Sequence, residues 1–460
     1  MRIAFVGAGS VIFGQNVLTD IITHPFLTQD MTICLEDVDP VRLDLMYRLM
    51  IKYKDLYPEK LDHVHFEKTT DLKTAITGAK YVICSIHVGG LEAYKFDLDI
   101  PLKYGVTQCV GDTIGPGGVF RFLRASSVLK EIVTLMEEVG YNCNNDGLKP
   151  ILLNYANPMA MNTWFCNKIV PDSTVGLCHG VQHTASILRQ WIGAKPENFT
   201  FTCYGINHMA WFLQILYKDI NDPNAEWKNA YPILYQKYRE NPDMIKNERI
   251  RWDMMEATGY FMTEETRHLS EYVPYYRKRE ELLETYKTPG EKYGMLTHGF
   301  TYKIDSAGAG IQESSMEKKI KRSKLKLKNS PSDEYISHIM GAMETNQPFK
   351  FHGNVINKDE GLITNLPKNC CVEVHTYADN RGIHPQGGLT LPTVCQALCN
   401  SNIMVQKAAV EGALELDKEK VYHAVLLDPN TASVCSPKEI REMVDDLFEA
   451  EKQWLPKFDN

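Results

Sequence analysis

The chain opens with a short apolar run that ends in glycine, Ile3-Ala-Phe-Val6-Gly7-Ala-Gly9-Ser10. The run has the length and composition of a buried strand. Its glycines allow a tight turn through which backbone amides can approach a pyrophosphate at the start of a helix. A helical pattern follows from Phe13 to Ile22. A strand buried on both faces must be covered by helices on both sides, which commits this part of the chain to a parallel sheet.

The same rhythm continues for about 150 residues. Further β-rich runs at Met31–Leu35, Tyr81–Ile86 and Ile151–Asn154 lie between helical patterns at Pro40–Tyr57 and Val119–Val139. The fold class is therefore α/β, with an N-terminal Rossmann-like, doubly wound parallel sheet. Ile12 stands where the third glycine of the dinucleotide fingerprint falls, so the motif is incomplete. Asp37, closing the second run in Leu35-Glu36-Asp37, can accept hydrogen bonds from an adenosine ribose and repel a 2′-phosphate. Gly7, Gly9, Ser10 and Asp37 are the candidate residues of an NAD site.

Beyond about residue 200 the alternation is lost. A β-rich block at Cys370–Tyr377 and a helical pattern at Pro437–Ala450 suggest a second, α+β domain resembling that of lactate and malate dehydrogenases. The expected division is 1–195 and 196–460, joined by a packed junction without a low-complexity linker. Asp112–Gly118 and Ala307–Gln312 read as glycine-rich loops, and the basic run Lys318–Lys328 as a solvated helix or hinge.

Net charge is −8, which gives no electrostatic case for nucleic acid or an anionic membrane as partner. No stretch approaches the roughly 20 apolar residues of a membrane span, and no secretory signal opens the chain. The twelve cysteines lack CxxC pairs and small-secreted spacing, so reduced thiols in a cytoplasm are expected. Two segments, Cys178-His179-Gly180 and Asn207-His208, together offer a soft thiolate and an imidazole to a divalent transition metal. Two protein ligands alone would leave the site open to water or substrate oxygens.

Many separated segments strongly resemble glycoside hydrolase family 4, and within it the melibiase-type α-galactosidases. They include Gly7-Ala-Gly9-Ser10, Gly89-Gly90, Asp112-Thr-Ile-Gly-Pro-Gly-Gly118 with Arg121 and Arg124, and Asn154-Tyr-Ala-Asn157-Pro. Others are Gly176-Leu-Cys178-His179-Gly180-Val181-Gln182, Gly205-Ile-Asn207-His208, Glu271-Tyr272-Val-Pro274 and Cys370-Cys-Val-Glu373.

The resemblance implies a glycosidase outside the usual two-carboxylate scheme. In that family NAD+ transiently oxidises sugar carbon 3, a base removes the acidified hydrogen on carbon 2, and the aglycone is eliminated. Water addition and re-reduction follow. Carried onto this chain, Cys178 and His208 resemble the Mn2+ ligands and Asn157 the asparagine that contacts the sugar hydroxyls. Tyr272 resembles the base, with Glu264 and Glu265 as alternatives. His179 and Asp112 compete as the acid that protonates the leaving oxygen.

The residue after Cys178 is neither Asn nor Asp, and no proline lies two places beyond it, which disfavours a phosphorylated sugar. Glycine at position 180, where melibiase types usually carry serine, keeps α-glucosidase, α-glucuronidase and α-galacturonidase activities open beside α-galactosidase. A net NAD-dependent sugar dehydrogenase is the reading from a different class. The family implies a small α-linked sugar as substrate and a homodimer or homotetramer.

Overall fold

The computed structural model describes residues 1–141, 148–219, 225–288, 294–358 and 361–458. Thirteen strands among them join one mixed sheet. The parallel half comprises β1 (Arg2–Val6), β2 (Met31–Glu36), β3 (Val64–Thr69), β4 (Tyr81–Cys84), β5 (Ile151–Asn154) and β6 (Thr174–Leu177). Their order is β3-β2-β1-β4-β5-β6, all parallel. From β1 the chain winds first toward β3 and then, from β4, the other way. A crevice opens at that reversal, beyond the carboxyl ends of the strands, where ligands of such sheets bind. β4, β5 and β6 are buried at every position, because helices cover both faces.

The second half extends this sheet. Its strands are β7 (Phe199–Ile206), β8 (Met209–Tyr217), β9 (Lys228–Asn229), β10 (Phe261–Met262), β11 (Phe349–Ile356), β12 (Cys371–Asp379) and β13 (Gly382–Pro385). All pair antiparallel. β11 docks antiparallel on β6 through Gly353 opposite Leu177 and Asn354 opposite Gly176. β12, β7, β8 and β10 follow in that order. The strands that bring Cys178, His208 and Glu264 to one place thus belong to a single hydrogen-bonded array, with β11 and β12 lying between β6 and β7.

Two expectations about loops and one about the basic run need correction. Ala307–Gln312 is not a loop but the middle of the helix Phe300–Ile320. Its glycines weaken the helix by about 1 kcal/mol each. Tertiary contacts override that cost: Arg42 reaches Glu313 at 2.9 Å, Arg48 reaches Glu317 at 3.0 Å, and Met316 is buried. The loop at Asp112 is shorter than its composition suggests, since a helix already begins at Gly115. The basic run Lys318–Lys328 is solvated over most of its length, as expected, but is helical only as far as Ile320 and is anchored beyond it. Leu325 and Leu327 are buried, the Tyr57 hydroxyl donates to the Leu325 carbonyl at 2.6 Å, and Lys328 pairs with the fully buried Asp20 at 2.7 Å. No helix of the described residues is long and apolar enough to cross a membrane.

Candidate active site

The turn after β1 is built for close approach. Gly7 has φ +81°, and a Cβ there would stand 2.9 Å from the Ser85 backbone. A Cβ on Gly9 would stand 2.7 Å from Oδ2 of Asp37. Ser10 is the N-cap of the helix Val11–Thr23, yet its side chain caps none of the free first-turn amides. Those amides therefore face the crevice as an anion site. Asp37 closes β2, where its carboxylate accepts from the amides of Gly9 at 2.7 Å and Asp39 at 2.9 Å. Those bonds fix the carboxylate toward the glycine turn, and each oxygen keeps a lone pair for a further donor. The four residues fit a dinucleotide.

The helix Phe300–Ile320 crosses the rim of this crevice. Besides its ion pairs to Arg42 and Arg48, Lys319 donates to Gln15 at 3.0 Å. Val11, Gln15 and Asn16 share a cleft of about 330 Å³ with Ile311, Gln312 and Ser315.

Cys178 follows β6 directly and is the residue before the N-cap His179 of the helix Gly180–Ile192. His208 lies in the two-residue turn between β7 and β8, in a left-handed conformation with φ 63°. Glu264 follows β10. One donor atom from each of these three residues lies within 4.8 Å of the other two. Burial first, then Glu264 and Glu373, push the Cys178 thiol well above its ordinary range. Burial pushes His208 down, toward the neutral imidazole that metals require. Glu373, pushed up to about 8 by burial and by Glu264, closes the site from β12. Asn207, near enough to favour the Cys178 thiolate, makes no regular hydrogen bond although its amide is buried. A half-buried sulfur with a buried nitrogen and oxygen in surroundings this acidic fits a first-row divalent cation.

Hydrogen bonds around His208 select its tautomer. Asp112 is buried; His268, Arg121 and His208 outweigh that burial and hold its carboxyl down at about 2. The ionised group only accepts, so the Thr113 hydroxyl, 2.8 Å away, donates to it. Thr113 has no second proton. Its oxygen must accept from Nδ1–H of His208, also at 2.8 Å, which leaves Nε2 bare on the side of Glu264 at 3.7 Å. Asn157, after β5, donates to Oδ2 of Asp112 at 2.8 Å. The Tyr272 hydroxyl stands 3.2 Å from Nδ1 of His208, and the two rings stack at 14°. Burial, then Asp112 and Glu264, raise the phenol of Tyr272 well above its ordinary value.

Cys178, His208, Asp112, Asn157 and Tyr272 thus meet, while Gly7 to Ser10 and Asp37 line the crevice beside β1. His179 lies apart on the rim, with its side chain 64% exposed and 3.7 Å from Glu334. Thr113 and His268 have no role in the sequence reading, and Glu264 enters it only as an alternative base. His268 sits 3.4 Å from Glu264 and 3.7 Å from Asp112; Glu265, Glu264 and Asp112 overcome its burial and raise it to about 9. Its spacing four residues after Glu264 was the one available signal. Glu265 instead pairs with Arg267 and His268.

A dinucleotide crevice beside a thiol–imidazole–carboxylate cluster defines an enzyme class in which redox and cation chemistry could act on one substrate. The chain belongs to family 4 of the glycosyl hydrolases. Residues 2–194 match the profile described as "Family 4 glycosyl hydrolase", and residues 203–431 match "Family 4 glycosyl hydrolase C-terminal domain". An α-galactosidase of Bacillus subtilis is 37% identical, with 99% of both chains covered. One from Rhizobium meliloti is 35% identical over 99% of this chain and 89% of its own. Among solved structures, a 6-phospho-α-glucosidase from gut microorganisms, in complex with NAD and Mn2+, superposes with a TM-score of 0.78. It is 19% identical and covers 100% of this chain and 99% of its own, a likeness of fold.

Proposed function

We propose that this chain is an NAD- and Mn2+-dependent α-galactosidase that hydrolyses small, unphosphorylated, melibiose-like α-galactosides in the cytoplasm as a homo-oligomer. The observation that carries the chemistry is the convergence of Cys178, His208 and Glu264 within 4.8 Å. The sugar assignment is supported by the two full-length relatives, both α-galactosidases.

In this reading Cys178, His208 and Glu264 would hold the cation, and Gly7, Gly9, Ser10 and Asp37 the dinucleotide. When bound, these groups supply a hydride acceptor for sugar carbon 3 and positive charge for the oxygens on carbons 2 and 3. Asn157, oriented by Asp112, donates to those oxygens and fixes the ring. Tyr272, as its phenolate, would take the carbon-2 proton on its oxygen, and the C–H electron pair would pass toward the carbonyl at carbon 3. Its raised pKa opposes that role unless positive charge lies near it; His208, itself neutral and 3.2 Å away, would bring that charge only as a ligand of the cation. Asp112, held ionised, serves as an orienting carboxylate rather than an acid. The proton for the leaving oxygen then falls to His179 on the exposed rim.

The test is p-nitrophenyl α-galactoside with Mn2+, NAD+ and a thiol reductant, run beside the α-glucoside and α-glucuronide. Nitrophenol release from the galactoside without NADH accumulation is the expected result. Accumulating NADH would instead mark a net dehydrogenase, and preference for another glycoside would overturn the sugar assignment.

A further inference from the structure

We propose that Glu271 is a positioning residue that registers the loop of Asp112 and Thr113 against Tyr272; this rests on the roles given above to those residues. Three successive backbone amides converge on its buried carboxylate. Oε1 accepts from Cys109 and from Val110, the latter at 2.8 Å, and Oε2 accepts from Gly111 at 2.9 Å. A carboxylate taking three amide protons is a strong, directional clamp. It fixes the main chain immediately before Asp112.

The clamp closes a ring. Tyr272 is the next residue after Glu271, and its hydroxyl stands 3.2 Å from Nδ1 of His208. Thr113, two residues beyond the last clamped amide, meets the same nitrogen at 2.8 Å. Glu271 therefore sets, through the loop, where Thr113 and Asp112 stand relative to the phenol on its own helix. Neighbouring bonds hold the same stretch without reaching the ring: Arg277 donates to the Thr107 carbonyl at 2.8 Å, and the Tyr94 hydroxyl to the Val110 carbonyl at 2.6 Å. Glu271 belongs to the segment Glu271-Tyr272-Val-Pro274, and among the described residues its carboxylate hydrogen bonds go to the amides of Cys109, Val110 and Gly111 rather than to the donor cluster.

Glu271→Gln keeps the shape but puts an amide NH2 against backbone N–H groups. Glu271→Asp keeps the charge one carbon short, and serves where the glutamine variant fails to fold. Both are read as holoenzyme, by kcat and KM on the galactoside, NAD affinity, and amide hydrogen exchange of residues 107–113. The expected result is exchange faster by about tenfold in that segment, kcat lower by roughly 100-fold, and KM within about threefold. NAD affinity stays at the wild-type value. Wild-type kcat with loosened amides, or amides as protected as before, would overturn the proposal. Wild-type enzyme that releases no nitrophenol would instead defeat the α-galactosidase reading; the exchange measurement needs no sugar and still decides whether Glu271 holds the loop.

Discussion

Thr113 and His208 share a hydrogen bond of 2.8 Å whose direction is fixed by a third group, because the Thr113 proton is already spent on Asp112. The imidazole is thereby held with Nδ1 protonated and Nε2 free. Thr113→Val keeps the volume and removes both bonds. Mn2+ affinity should fall by about 10- to 100-fold while NAD binding is retained, as titration calorimetry would show. An unchanged affinity would mean that the tautomer is set elsewhere.

Tyr272→Phe removes the phenol oxygen and little else from a buried ring. In deuterated solvent, wild-type product sugar should carry deuterium at carbon 2, and turnover should drop by roughly 100-fold or more in the variant. Mass spectrometry of the released sugar decides it: product free of deuterium from the wild-type enzyme rules out proton abstraction there.

Cys178→Ser replaces a soft ligand by a hard one in the same space. The variant should lose bound Mn2+ and all measurable turnover, while its nucleotide affinity stays near wild type. Metal analysis after gel filtration reads the first effect and fluorescence titration with NADH the last. Full activity would take Cys178 out of the site.

Asp37→Ala should weaken NAD binding by about tenfold or more, since the carboxylate both steadies the Gly9 turn and is the expected ribose acceptor. Equal affinity would exclude a ribose contact.

His24, whose pKa burial and His338 lower to about 4, makes stability fall on the acid side. Its folded value lies below the unfolded 6.5, so its contribution is present above that pH and is lost as pH falls through 4. From pH 7 to pH 5 the loss is about 2 kcal/mol by linkage. Urea unfolding at the two pH values should show a smaller difference in His24→Gln; an identical difference would assign the loss to other groups.

Strands and glycine turns of the parallel half could be read directly, because continuous apolar runs and the Gly7-Ala-Gly9 turn are local signals. Cys178 and His208 could be paired only through resemblance, since the register of β11 on β6 and the order beyond it are not written in any one segment. Thr113 and His268 went unseen for the same reason: their roles exist only through partners far along the chain. The helix through Ala307–Gln312 was hidden by its composition, which favours a loop until Arg42 and Arg48 supply the partners.

Because one continuous sheet carries strands from both halves of the chain, the elements that bring the sulfur, the imidazole and the carboxylate together share one hydrogen-bonded framework. Strand registry sets the places from which the sulfur, the imidazole and the carboxylate project, at the end of β6, in the turn between β7 and β8 and just beyond β10, before any sugar arrives. The helix Phe300–Ile320 is attached differently, through half-exposed ion pairs to Arg42 and Arg48, which added salt would loosen before it touched the cluster.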